Sequence, residues 1–380
     1  MGDTAVFFEV LAVDRATGAR RGRLVTNHGE VQTPAFMPVG TQATVKAMMP
    51  SELRAMGVEM VLGNAYHMRV RPGLEVVEAC GGLHGFMGWD GPILTDSGGY
   101  QVFSLAGIRR ISDDGVEFQS HVDGTPLFFG PGQVMEIQAR LGSDIAMVLD
   151  ECPPYPCPRD YACQAVRRTI AWAARCLEYR RPAGQRLFGI VQGGQYPELR
   201  ARCADALIER GFDGYAIGGV SVGEPERMMI EAVAATAGRL PADKPRYLMG
   251  VGMPGQVIEA VALGVDMFDC VAPTRLARHG TALTRTGRFA LKAGSRKAET
   301  GPIEEGCSCA ACAGFSRAYV RHLLNAGEIL GMRLLTIHNL HCLLQLLRDA
   351  RAALENGTFG AFLSEFRSAR EAVPAAEVCL

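Results

Sequence analysis

The amino-acid sequence predicts an α/β protein, a closed (β/α)8 TIM barrel with additions, and three observations predict it. Eight short, mostly apolar runs, each too short for a helix, end in a polar residue or glycine and lead into a helix-compatible segment. The runs are near-continuously apolar, broken only by Glu59 and Asp266, as parallel strands covered on both faces must be. Eight strand-and-helix units are the number that closes a barrel, and no G-x-G-x-x-G follows the first run to favour a doubly wound open sheet.

In chain order the expected strands are Ala35 to Val39, Val58 to Leu62 before Gly63-Asn64, and Ile93-Leu94 before Thr95-Asp96. Then come Ile145 to Leu149 before Asp150-Glu151, Leu187 to Val191 before Gln192, and Tyr215 to Ile217 before Gly218-Gly219. Tyr247 to Met249 before Gly250 and Val265 to Phe268 before Asp269 complete the set. Helices are expected at Pro131 to Leu141, Tyr161 to Tyr179, Pro197 to Arg210 and Pro254 to Leu263. Residues 5 to 33, with Thr17-Gly18 and Asn27-His28-Gly29, read as a polar β-hairpin leading into the barrel. Residues 99 to 130, with Val116-Glu117-Phe118 and the turn Asp123-Gly124-Thr125-Pro126, read as a second hairpin inserted after strand three. Beyond Ala277 follow a basic β-like stretch, a cysteine cluster, and helices Phe315 to Leu330 and Asn339 to Glu355. The chain thus reads as one barrel domain over 1–380, with a cysteine-bearing insertion at about 299–345.

Composition supports an enzyme-sized globular protein: 48% of residues are apolar, 21% are charged, and 45 glycines are spread along the chain. No stretch approaches the roughly 18 apolar residues of a membrane span, and Met1-Gly2-Asp3-Thr4 lacks the order of a signal peptide, so the cytosol is expected. Of twelve cysteines, nine lie outside the cluster, scattered singly from Cys80 to Cys379, and read as free thiols. Net charge is −1, which gives no global attraction to nucleic acid. Locally, no acidic residue occurs from Cys270 to Ala298, while Arg275, Arg278, Arg285, Arg288, Lys292, Arg296 and Lys297 do. That run is either a solvated face or a phosphate-binding strip.

Cys307-Ser308-Cys309-Ala310-Ala311-Cys312 with the distant His338 has the spacing of a closed zinc site. Three thiolates and an imidazole fill a tetrahedral shell, so this metal would be structural, one per subunit. Chemistry must then come from the strand ends, where Asp96, Asp150 and Asp269 fall. One such carboxylate is commonly a helix cap. Two in one barrel mouth can cleave a bond to an anomeric carbon, one as nucleophile and one as acid and base. A metal-dependent barrel hydrolase would need an H-x-H at an early strand end, and the chain has none.

Thr95-Asp96-Ser97-Gly98-Gly99-Tyr100-Gln101-Val102, Asp150-Glu151-Cys152-Pro153-Pro154-Tyr155 and Phe188-Gly189-Ile190-Val191-Gln192-Gly193-Gly194 are followed by Gly214-Tyr215-Ala216-Ile217-Gly218-Gly219 and Tyr247-Leu248-Met249-Gly250-Val251-Gly252. With Asp266-Met267-Phe268-Asp269-Cys270-Val271-Ala272-Pro273-Thr274-Arg275 and the Cys/His set, this ordered series resembles the bacterial tRNA-guanine transglycosylases, from about Phe7 to Phe366. The resemblance implies a homodimeric (β/α)8 barrel with a zinc insertion. It also implies exchange of the wobble guanine of G-U-N tRNAs (Tyr, His, Asn and Asp types) for a 7-deazaguanine. Asp269 matches the nucleophile and Asp96 the general acid/base. Asp150, Gln192, Gly218, Gly219 and Val220 match the base-recognising set, with Tyr100 and Met249 flanking the ring. Cys152 and Val222 match the bacterial pattern, implying 7-aminomethyl-7-deazaguanine as the incoming base. Val220 replaces the usual leucine, a change that a backbone contact through its carbonyl tolerates, with Glu224 supporting the loop. Arg275 and Arg278 match an anticodon-binding strip, though Leu276 and Ala277 depart from the usual serine and glycine. His338, not His322 or His341, matches the fourth zinc ligand.

Overall fold

The computed structural model describes residues 6–99 and 109–372. Its centre is an eight-stranded parallel sheet. The strands are β1 (Ala35–Pro38), β2 (Val61–Asn64), β3 (Ile93–Asp96), β4 (Ile145–Met147), β5 (Arg186–Val191), β6 (Gly214–Ile217), β7 (Arg246–Leu248) and β8 (Met267–Cys270). Neighbours follow chain order, and β8 pairs with β1. A parallel bridge between Val39 and Leu62, with Gly40 N–H donating to Leu62 O at 2.7 Å, closes the ring. Strands β1, β2, β4 and β6 are buried at every residue, which is why they carry no polar alternation.

Helices return along the outside. Pro131–Leu141 and Pro197–Arg210 begin on proline, where a missing N–H costs nothing, and stop at Gly142 and Gly211, both with positive φ. Arg159–Glu178 and Pro254–Ala262 complete the expected helices to within a turn of their predicted ends. Among the described residues no helix is long and apolar enough to cross a membrane.

The two breaks in apolarity have structural causes. Asp266, fully buried at the entry to β8, takes Nε of the buried Arg20 at 2.9 Å, and Glu59 takes the Gln32 N–H at 2.6 Å. Both partners belong to the N-terminal segment, which closes the bottom of the barrel. That segment is a three-stranded antiparallel sheet (Phe8–Val13, Arg20–Thr26, Gly29–Thr33) and not a simple hairpin, because Asn27-His28 turns the chain once more. The insertion after β3 likewise has three strands, Arg109–Ile111, Val116–Gln119 and Pro126–Phe129.

After β8 the chain forms a short helix, Ala272–Arg278, and an antiparallel pair, Thr281–Leu283 with Arg288–Ala290. The helix expected from Phe315 to Leu330 stops at Ala326, where Gly327 has φ 77°, and a separate 27-residue helix runs from Ile329 to Glu355. His338 and Asn339 therefore lie inside that long helix. A second apolar core, including Ala277, Phe289, Ile303, Val320 and Leu335, fills this region.

Candidate functional site

At the C-terminal ends of the strands lies a cavity of about 450 Å³, where a barrel gathers its reactive groups. Asp96, Asp150, Cys152, Gln192, Gly218, Gly219, Val220, Met249, Asp269 and Arg275 all line it. Tyr100 lies outside the described residues.

Asp269 ends β8. Its Oδ1 accepts from the Tyr247 hydroxyl at 2.6 Å and from Gly250 N–H at 2.8 Å. Among the described residues no hydrogen bond reaches Oδ2, so one oxygen is anchored and the other faces the cavity. Burial raises the Asp269 pKa, and these two donors oppose the rise. Tyr247, fully buried, has its own pKa driven up by burial and by Asp269 and Asp96 together, so both carboxylates bear on one phenol.

Asp96 ends β3 in register with Asn64 of β2. The Asn64 amide donates to Asp96 Oδ2 at 2.7 Å, and its Oδ1 accepts the His67 N–H at 3.0 Å, capping helix Ala65–Val70. Gly98 N–H donates to Asp96 Oδ1 at 3.0 Å. Asn64 and Tyr247 orient the two central carboxylates, and sequence reasoning missed both roles. Asn64 was visible only as the polar end of a run, and the register across β2 and β3 gives it its partner.

Asp150 and Glu151 are adjacent but unlike. Glu151, fully buried, is paired with Arg168 of helix Arg159–Glu178 at 2.9 Å and is structural. Asp150, 6% exposed, has no cation partner among the described residues; Gln192 Nε2 donates to its Oδ2 at 2.6 Å. Burial pushes the Asp150 carboxyl up to about 6. Gln192 Oε1 is buried and without a hydrogen bond. Two glycines make room here: a Cβ on Gly99 would lie 2.9 Å from Asp150 Oδ1, and one on Gly219, at φ 61°, would lie 2.2 Å from Gln192 Oε1. The result is a slot with a carboxylate acceptor, an amide and close-approaching backbone on one wall, a pattern that suits a flat, hydrogen-bonding heterocycle. Burial lifts the Cys152 thiol to about 12, so it lines the slot as a neutral group and not as a nucleophile. Glu224 accepts from Ser221 N–H and, at 2.9 Å, from Val222 N–H, bracing the loop after β6.

The basic run divides. Arg285 and Arg296 pair with Asp349 and Glu299, whereas Arg275, Arg278 and Arg288 pair with no carboxylate among the described residues. Arg275 and Arg288 line the cavity, and Arg278 sits one helical turn beyond Arg275, donating to Thr274 O at 2.9 Å.

Away from the mouth, Cys307, Cys309, Cys312 and His338 converge. The three sulfurs lie 3.7, 3.7 and 3.3 Å from His338 Nδ1, close to the roughly 3.6 Å edge of a tetrahedron built on ordinary zinc bond lengths. His338 Nε2 contacts Leu283 O at 2.8 Å, which fixes the ring with Nδ1 toward the sulfurs. This donor set fits a closed metal site. His341 instead contacts Ser308 Oγ at 3.3 Å.

A family model described as queuine tRNA-ribosyltransferase matches residues 14–372. The chain is 54% identical over 362 residues to the queuine tRNA-ribosyltransferase of Pelotomaculum thermopropionicum, covering 95% of this chain and 98% of that one. It is 54% identical over 363 residues to the protein of that name from Natranaerobius thermophilus (95% and 98% covered) and 51% identical over 363 to that of Staphylococcus aureus JH9 (95% and 96%).

Proposed function

The chain belongs to the queuine tRNA-ribosyltransferase family and is a tRNA-guanine transglycosylase of queuosine synthesis; from that premise we propose that it exchanges the wobble guanine of G-U-N tRNAs through a covalent Asp269–ribose ester. The carrying observation is the asymmetry of Asp269, one oxygen fixed by Tyr247 and Gly250 and the other directed into the cavity that Asp96 shares.

In the forward step Asp269 Oδ2 attacks C1′ of the ribose. The C1′–N9 bond breaks, its electron pair leaves on guanine, and Asp96 manages the proton on the departing base. The incoming base then gives its proton to Asp96 and attacks C1′, and the ester bond breaks back to the Asp269 carboxylate. Two displacements retain configuration, and water must be kept from the ester between them.

Asp150 accepts from the N1–H and exocyclic amine of the base, and Gln192 and Gly219 N–H serve its carbonyl. Met249 packs on the ring and Val220 O receives the aminomethyl group of 7-aminomethyl-7-deazaguanine, beside Cys152 and Gly218. Arg275 and Arg278 take anticodon-loop phosphates of the Tyr, His, Asn and Asp tRNAs. The Cys307, Cys309, Cys312 and His338 set would hold one structural zinc, which supplies cross-linking only. The enzyme would act as a cytoplasmic homodimer.

Incubation with labelled guanine and unmodified tRNA-Tyr transcript tests this. Wild type incorporates label and yields a denaturant-resistant RNA adduct, while Asp269→Asn loses more than about 10⁴-fold in rate and all adduct. Incorporation by the folded Asn variant would overturn the nucleophile.

A further inference from the structure

The guanidinium of Arg200 is buried, with 1% of the residue exposed, and pairs with no carboxylate among the described residues. It projects from helix Pro197–Arg210 beneath the slot and meets three main-chain carbonyls. Nε donates to Gly194 O at 2.8 Å, one Nη to Gly218 O at 3.0 Å and the other to Gly219 O at 2.9 Å. These carbonyls belong to the two glycine pairs that follow β5 and β6. Desolvating a cation is costly, and here that cost is met by backbone dipoles at one place in the barrel.

A trans peptide directs its C=O and N–H oppositely. With Gly218 O turned down onto Arg200, the Gly219 N–H must point up, to the side where Cys152 lines the slot, and that thiol feels this N–H. From the other side Glu224 takes the N–H groups of Ser221 and Val222, so the loop is gripped by a cation on its carbonyls and an anion on its amides.

We infer that Arg200 is a positioning residue for base selection, which locks the peptide after Gly218 so that Gly219 N–H is aimed at the base's ring carbonyl. The inference rests on the reading that the base binds in this slot. Without Arg200 the peptide can rotate, and the site loses its distinction between a carbonyl and a poorer acceptor at that ring position.

The test compares guanine with 6-thioguanine, which keeps the N1–H and amine and replaces the carbonyl oxygen by sulfur. Half-saturation for guanine and inhibition by 6-thioguanine are measured in wild type, Arg200→Met and Arg200→Lys. Guanine binding should weaken roughly 10–100-fold in Arg200→Met, the worth of one buried donor. The thio analogue should weaken less, so that the preference collapses, and Arg200→Lys should restore part of it; tRNA affinity should hold. Equal weakening for both bases, or an unchanged preference in a folded variant, overturns the positioning role. If Arg200→Met does not fold, the same ratio in Arg200→Gln, which also removes the cation, decides, and an intact preference there overturns the inference. Wild type that exchanges no guanine would instead overturn the slot as a base site.

Discussion

The barrel mouth and the Cys–His cluster are both places where polar groups are buried, and they are held together in opposite ways. The cluster draws three of its four donors from six consecutive residues, Cys307 to Cys312, and adds only His338 from a distant helix. The mouth takes Asp96, Asp150, Gln192, Gly219 and Asp269 from the ends of five different strands. Each is anchored separately: Asp269 by Tyr247, Asp96 by Asn64, Asp150 by Gln192 and the Gly219 loop by Arg200. The cluster's donors point at one another and want a cation. At the mouth, Asp269 Oδ2 and Gln192 Oε1 accept no hydrogen bond among the described residues, and both side chains line the cavity. One region is built to be filled permanently, the other to be filled and emptied.

The largest effect that could break this contrast is removal of the zinc proposed for the cluster. Structural zinc contributes on the order of 10 kcal/mol of binding free energy to the folded state, so Cys309→Ser or chelation should lower thermal stability sharply. The damage should spread in a definite direction. Asn339, next to His338, donates to Pro273 O and Thr281 O at 3.0 Å each and accepts from Leu283 N–H at 2.8 Å. Helix Ala272–Arg278 and the pair that follows it should therefore loosen first, and tRNA affinity should fall before guanine affinity does. Amide exchange over 272–283 beside a guanine titration checks this. Apo protein that melts and exchanges like the metal-loaded enzyme would show that the cluster is dispensable.

Intermediate in size is the pH response of the slot. Burial raises the Asp150 carboxyl from the ordinary 3.8 to about 6. Because the folded value is the higher one, this group favours folding only while protonated. The contribution is full below about 3.8 and is lost as pH rises through about 6, leaving a cost of about 3 kcal/mol at neutral pH. A base that donates two N–H groups needs the ionised form. Guanine half-saturation should thus be flat above pH 6 and rise about tenfold for each unit below it, and Asp150→Asn should bind weakly with no such break. A flat profile in wild type would remove Asp150 from base recognition.

The same contrast explains what could be read from sequence. All eight strands were legible because each is a buried parallel strand, and helices Pro131–Leu141 and Pro197–Arg210 were legible to the residue because proline opens and glycine closes them. The cluster was legible because its spacing is local. Of the mouth, the acidic strand ends could be seen, since three apolar runs of one barrel each lead into a carboxylate, Asp96, Asp150 and Asp269. Asn64, Tyr247 and Arg200 could not, because their roles depend on which strand or loop lies alongside. Arg200 looks in sequence like any solvent-facing arginine of helix Pro197–Arg210. The third strand of each small sheet was hidden for a related reason, since Gly29–Thr33 and Arg109–Ile111 have no apolar alternation to announce them.

The smallest effect is at the rim, where the contrast between permanent and transient filling can be read charge by charge. Arg285 and Arg296 share the acid-free run with Arg278 but are already neutralised by Asp349 and Glu299. Among the described residues Arg278 donates only to a carbonyl, and its pKa is lowered by partial burial and by the neighbouring Arg275. Two guanidiniums that repel each other and meet no carboxylate among the described residues gain from an incoming phosphate what the paired arginines cannot. Arg278→Gln should weaken tRNA binding several-fold and make the plot of log affinity against log salt shallower by about 0.7, the value of one single-strand phosphate contact. Arg285→Gln should leave that slope unchanged while costing up to about 1 kcal/mol of stability, as an exposed ion pair does. Equal slopes for wild type and Arg278→Gln would mean that the strip is a solvated face after all, and that the mouth binds RNA by its base alone.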